Sequence, residues 1–349
     1  MNLSSEQSSS VNMLPDGFEG GTVVACVFLG LSFLTGAPGN LLVVWTILRH
    51  VKQRSHTVEL ILHLAAADLL VLITLPLWIY SLFHTWAFGK AFCKTLIYVV
   101  SVCMFSSIFF ITMMSVERFL AICYPFVMMH WTKSLLNRCL VLLWLLALLL
   151  GLPSLLSQIS DESDGTEQCF IQEYSSGTLA ITLLCLETFV GFLVPFIILS
   201  ICYCLVAARL RKMSFNSKQK SMILVHTVVI AFILCWLPYH VINIIDLLCV
   251  LRSGTDRECV PAGLVFSSGA LVFISSSLNP VLYAFFARNL RGSLEESRLV
   301  RLFQEMATHT QKLRELVVQH QSSQRAANTQ VELMSDCVKK PSSCDEEKI

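Results

Sequence analysis

The chain has 349 residues, 55% of them hydrophobic and only 14% charged, with a formal net charge of +1 at pH 7. A soluble domain carries about 25% charged residues, whereas several stretches here run beyond about twenty residues without Asp, Glu, Lys or Arg. That excludes a water-soluble globule, and nothing in the charge balance indicates a nucleic-acid partner.

Residues 1–20 are polar and hold a glycosylation sequon at Asn2. Seven apolar runs follow, near 21–48, 57–83, 95–116, 136–157, 178–207, 221–251 and 261–287. At 1.5 Å per residue each can cross the roughly 30 Å of hydrocarbon in a bilayer. They predict an all-α membrane protein, a seven-transmembrane helix bundle over 21–287, because barrel strands would alternate polar with apolar and Cys139 to Leu152 do not. Most of the fourteen cysteines fall inside these runs, where a thiol packs as a small hydrophobe. Residues 288–306 read as a C-terminal amphipathic membrane-surface helix, with Phe286, Leu290 and Leu294 recurring at four-residue spacing among Arg and Glu. Residues 307–349 read as a mostly disordered regulatory tail whose hydroxyls suit receptor kinases and arrestin.

Lys and Arg cluster in alternate connections: Arg49, Lys52 and Arg54 after the first run, Lys133 and Arg138 after the third, Arg209, Arg211 and Lys212 after the fifth, Arg288 and Arg291 after the seventh. By the positive-inside rule these face the cytoplasm. The N-terminus is therefore expected outside the plasma membrane and the C-terminus inside, with the first span doubling as signal anchor.

Asp68 is the most informative residue, because a carboxylate inside an apolar span costs several kcal/mol unless it has a functional partner. The plain alternative is a protonated packing residue. Ser107, Ser275, Ser276 and Asn279 sit at compatible depth, as does Asn40, and together they form an oxygen-rich set that suits a sodium ion. Prolines recur inside six runs, at Pro38, Pro76, Pro153, Pro195, Pro238 and Pro280, and each removes a helical hydrogen bond. Spread this way, they predict bends that open a cavity and a hinge.

Several local sequences stand in a fixed order: Gly39-Asn40, Leu64 to Asp68, Glu117-Arg118-Phe119, Trp144, Pro195 with Tyr203, Cys235-Trp236-Leu237-Pro238 and Asn279-Pro280-Val281-Leu282-Tyr283. In this order the chain, from about residue 21 to 303, resembles the rhodopsin-like family of G-protein-coupled receptors. The resemblance implies a bridge between Cys93 and Cys169, and both lie on the oxidising side. It implies a heterotrimeric G protein as partner, and a switch built from Glu117, Arg118, Tyr203, Pro238, Asn279, Pro280 and Tyr283. Cys249 and Cys259 form a second candidate pair. Three departures stand out. Glu117 replaces the family's usual Asp, Lys218 and Lys220 stand where many relatives carry an acid facing the Arg, and no Cys stands just after the amphipathic helix to take a palmitoyl anchor, Cys337 and Cys344 being far downstream.

Polar groups in the outer halves of the runs include Glu187, His240, Asn243 and Asp246, with Trp236, His240 and Asn243 on one helical face. Val102, Cys103 and Met104 occupy the depth at which amine receptors carry an aspartate, so an amine ligand is disfavoured. Leu75-Pro76-Leu77-Trp78 is similar to the chemoattractant branch of the family, and the sequence around Glu187, Trp236 to Asn243 and Ser275 to Tyr283 looks most like the leukotriene B4 receptors. This implies a lipid agonist against Glu187, Trp236, Tyr239, His240 and Asn243, and a cation for its carboxylate. Lys94, Arg252 and Arg257 at the rim are the candidates. The acidic second outer loop, with Asp161, Glu162, Asp164, Glu167 and Glu173, favours a cationic chemotactic peptide instead. Apart from an allosteric sodium ion no cofactor is expected. No inverted repeat suggests a transporter, and the scattered His63, His226 and His240 make no hydrolase site, so the chain is not expected to be an enzyme.

Overall fold

The structure is a computed structural model that describes residues 16–51, 54–84, 86–156, 158–161, 167–173, 177–211, 220–253, 260–288, 300–304, 306, 319, 322 and 323. Seven helical segments have the length and apolar composition to cross a membrane. They are Gly21–His50, Lys90–Cys123, Lys133–Leu155, Ile181–Arg209, Val229–Cys249 and Gly263–Ala284, with His56–Phe83 second in order; numbered one to seven along the chain, they coincide with the apolar runs. Hydrocarbon offers no partner for a bare N–H or C=O, so an isolated apolar run closes its own hydrogen bonds as a helix.

Local chemistry sets where these helices start and bend. The Ser55 hydroxyl caps span two by accepting from the Val58 N–H at 3.4 Å, and Thr132 caps span four by accepting from Leu135 at 3.3 Å. Pro76 has no N–H and its ring crowds the preceding turn, so span two divides into His56–Leu72 and Leu75–Phe83. At the break, Thr74 Oγ1 donates to the Val71 carbonyl at 2.7 Å. Ahead of Pro195 the helix widens into a π-turn, Phe189–Leu193, and around Pro153 span four tightens into the 3-10 turn Leu152–Leu156. Helix assignment is unbroken through Pro38, Pro238 and Pro280.

Span three is the axis of the bundle and touches spans two, four, five and six. Its Ile108, Phe110 and Met114 are buried in a common core with Leu60, Leu64, Phe232 and Trp236. Span one packs along span seven, where a Cβ on Gly39 would stand 2.7 Å from the Pro280 ring. Glycine thus permits that contact. Outward faces carry exposed Leu34, Leu142 and Leu234, as lipid contact requires.

Between spans four and five lies one element that the all-helical expectation lacked, an antiparallel pair of strands, β1 (Gln158–Asp161) and β2 (Glu167–Glu173). A connection outside the hydrocarbon can leave strand edges to water, so a sheet is allowed there. β2 carries Cys169, which bridges Cys93 at the start of span three with 5.7 Å between the Cα atoms. Trp86 packs on this bridge and donates its indole N–H to the Gly89 carbonyl at 2.9 Å. Gly89 itself sits at φ 78°, a left-handed conformation suited to glycine. Cys249 is also disulfide-bonded, while Cys259 lies outside the described residues.

Beyond span seven, residues 300–304 are helical. Leu302, Phe303 and Met306 are buried in the main core, and the Phe303 ring meets Tyr283 at 6.0 Å between centroids. Leu290 and Leu294, on which the expected surface helix 288–306 was founded, lie outside the described residues, as do Asn2 and most of the tail hydroxyls.

Candidate functional site

Towards the disulfide end, spans three to seven enclose a cavity of about 290 Å³. Its walls are apolar, with Met104, Phe105 and Ile108 from span three, Leu183 and Leu186 from span five, and Val272 and Phe273 from span seven. Ser101, Ser154, Glu187 and Tyr239 add a few polar groups, and Trp236 also lines the cavity. The Tyr239 hydroxyl donates to Glu187 Oε1 at 3.1 Å, joining spans five and six in one polar corner. Among the lining residues there is no cation.

Three of the expected contact residues stand elsewhere. His240, Asn243 and Lys94 are not lining residues of this cavity. The His240 ring is fully buried and stacks on Phe192 at 4.6 Å and on Trp236 at 5.8 Å, with Nδ1 3.4 Å from Thr188 Oγ1. It braces spans five and six behind Trp236. The Asn243 amide nitrogen is enclosed and has no hydrogen-bond partner among the described residues. The Asp246 side chain lies outside them.

Below the cavity, Trp236 donates its indole N–H to Ser275 Oγ at 3.2 Å and leans on Phe232. One residue further along span seven the chemistry changes. Ser276 bonds Asp68, which also accepts from Ser107 Oγ at 2.9 Å and from Asn279 Nδ2 at 2.7 Å. Asp68 is 1% exposed. Asn40 Nδ2 donates to the Ser276 carbonyl at 3.0 Å, and its buried Oδ1 has no donor among the described residues. Of the six residues expected around a sodium ion, Asp68, Ser107, Ser276 and Asn279 converge, Asn40 meets them only at the Ser276 carbonyl, and Ser275 does not join them. Adjacent helical residues point about 100° apart, so Ser275 and Ser276 serve different neighbours. A carboxylate, two hydroxyls and an orphaned amide oxygen fit a hard cation.

At the opposite end, Glu117 and Arg118 are buried in span three. Glu117 Oε2 accepts from Thr57 Oγ1 at 2.9 Å, Arg118 Nη2 donates to the same Thr57 oxygen at 2.6 Å, and Arg118 Nε stands 3.4 Å from Glu117 Oε2. The hydroxyl that restrains the arginine thus belongs to Thr57, which sequence reasoning missed. A threonine in the first turn of a helix looks like part of its cap, and nothing local marks it otherwise. Tyr283 is buried with no hydrogen-bond partner for its hydroxyl among the described residues, whereas Tyr203 is exposed on span five. Trp144, a marker residue in span four, donates to His63 Nδ1 at 3.2 Å and packs edge-on to Phe110. That contact absorbs His63 into packing.

The pattern of the family described as "7 transmembrane receptor (rhodopsin family)" matches residues 39–283. Among curated relatives, human (Homo sapiens) leukotriene B4 receptor 1 is 36% identical over 281 residues, 77% of this chain and 78% of the relative. Dog (Canis lupus familiaris) atypical chemokine receptor 3 is 33% identical over 273 residues, 75% of each chain. Rat (Rattus norvegicus) chemerin-like receptor 2 is 31% identical over 281 residues, 78% of each. With seven spans, the Cys93–Cys169 bridge and this match, the chain belongs to the rhodopsin family of seven-transmembrane receptors, as a G-protein-coupled receptor of the chemoattractant branch and not an enzyme.

Proposed function

We propose that this receptor responds to an acidic lipid chemoattractant of the leukotriene B4 type and signals to an inhibitory-type heterotrimeric G protein. The supporting observation is the cavity itself: apolar walls suit a hydrocarbon chain, and one polar corner, Glu187 with Tyr239, suits a hydroxyl. A ligand hydroxyl donating to Glu187 competes with Tyr239 for the carboxylate. A ligand that fills the floor presses on Trp236 and strains its bond to Ser275. Movement of span seven at Ser275 is felt at Ser276 and so at Asp68, where a sodium ion stabilises the resting form. The Arg118-end half of span six then swings about Pro238, Arg118 leaves Thr57 and Glu117, and Tyr203 and Tyr283 rearrange around the G protein's terminal helix. The differential affinity of ligand and G protein for this open form drives the change.

In this reading the disulfide end, with the N-terminus, faces outside, and the Arg118 end faces the cytoplasm, as the Lys and Arg bias requires. The tail is a substrate for receptor kinases and then a ligand for arrestin. A cationic chemotactic peptide is the second reading, favoured by the acidic sequence of the connection between spans four and five, with Glu167 and Glu173 in β2, and by Glu187 in the cavity. Guanine-nucleotide exchange in membranes that carry the receptor and an inhibitory G protein separates the two. Exchange driven by leukotriene B4 supports the lipid, whereas exchange driven only by basic peptides overturns it.

A further inference from the structure

We propose that Lys94 anchors the ligand's carboxylate at the rim of the cavity, so that the receptor selects free fatty acids and holds them acid end towards the disulfide. This rests on the lipid reading above and adds what selects the head group and which way the ligand points. Lys94 follows Cys93, and the bridge to Cys169 pins its backbone. The side chain is half-buried, and Nζ reaches across to span four, donating to the Leu155 carbonyl at 3.4 Å. An ammonium has three donors. This one has a single long bond to a neutral oxygen and no ion-pair partner among the described residues.

The position is aimed at the cavity. Seven residues make nearly two whole helical turns, so Lys94 lies on the same face of span three as Ser101, a lining residue about 10 Å away along the axis. Leu155 directly follows Ser154, another lining residue. Lys94 does not itself line the cavity; its ammonium bridges spans three and four, about two helical turns from Ser101 towards the disulfide. The cavity's own charge is Glu187 on span five, a carboxylate that repels a second one. A dihydroxy acid is driven to put its carboxylate at Lys94 and its hydroxyls at Glu187 and Tyr239. Of the other rim cations, Arg252 is exposed at the end of span six and Arg257 lies outside the described residues.

The test uses the full-length receptor in membranes and compares binding of leukotriene B4 with that of its methyl ester. Wild type is expected to prefer the acid. Lys94→Gln is expected to lose about tenfold to a hundredfold in affinity for the acid, the range for one charge-assisted hydrogen bond, while the ester shifts by less than about twofold. Lys94→Arg is expected to restore the preference, and ester binding on each variant checks that the cavity is intact. If Lys94→Gln binds the acid as wild type does, or loses acid and ester alike, Lys94 is not the anchor although the lipid reading stands. A wild-type receptor that binds neither form overturns both.

Discussion

The cavity at the disulfide end and the triangle at the Arg118 end are both polar sets in apolar surroundings, but they are built in opposite ways. At the Arg118 end, Thr57, Glu117 and Arg118 bond one another. These bonds tie spans two and three together, although Glu117 Oε1 is left without a hydrogen-bond partner among the described residues. In the cavity, Glu187 has Tyr239 as its hydrogen-bond partner, and both border an open space of about 290 Å³. Buried polar groups are costly to leave unmatched, so a set whose members bond one another favours one arrangement, while a set that borders a void leaves room for a ligand group. The Trp236–Ser275 and Ser276–Asp68 bonds lie between them, on neighbouring residues of span seven.

This contrast is broken most severely at the arginine. Arg118→Ala is expected to reduce agonist-driven nucleotide exchange by more than about a hundredfold while agonist binding without G protein changes by less than about threefold; equal loss of both would mean that the two ends are one site. Glu187→Ala is expected to lower agonist potency by about tenfold to a hundredfold and leave basal exchange unaltered, as removal of one charged hydrogen-bond partner predicts. A concentration–response curve measures it, and a rise in basal exchange would place Glu187 in the resting lock. Thr57→Ala opens the triangle and is expected to raise basal exchange about threefold to tenfold, with Thr57→Ser close to wild type. Unchanged basal exchange would show that Thr57 does not hold the arginine. The smallest effect is expected for Asp68→Asn: sodium is expected to lower agonist affinity a few-fold in wild type and to have no effect on this variant; a preserved sodium shift would remove the ion from Asp68.

Much of this was legible in the sequence because the bilayer enforces it. Apolar run length fixed the seven spans, and stranded polar residues marked Asp68, Glu117 and Arg118. What was not legible depends on rotation about a helix axis or on contact across the bundle. His240 shares a face with Trp236, which predicted a ligand contact, yet the π-turn before Pro195 accompanies a Phe192 ring stacked on His240, which closes it off. Ser275 and Ser276 are equivalent on paper, and only the packing of span seven against spans two and six separates them. Thr57 is paired with residues sixty positions away. The hairpin had a local signal in Asp164-Gly165, a pair favoured in tight turns, but the helical reading of the chain passed over it.

The central claim is that a ligand in the cavity opens the Arg118 end, and a distance measures it directly. Spin labels at Asn137 on span four and Ile230 on span six, both exposed positions near that end, would be followed in nanodisc-embedded receptor with leukotriene B4 and G protein. The expected result is a population lengthened by several ångströms that appears with ligand, grows with G protein and is lost in Glu187→Ala. A distance distribution that stays the same while the ligand is bound would contradict the claim.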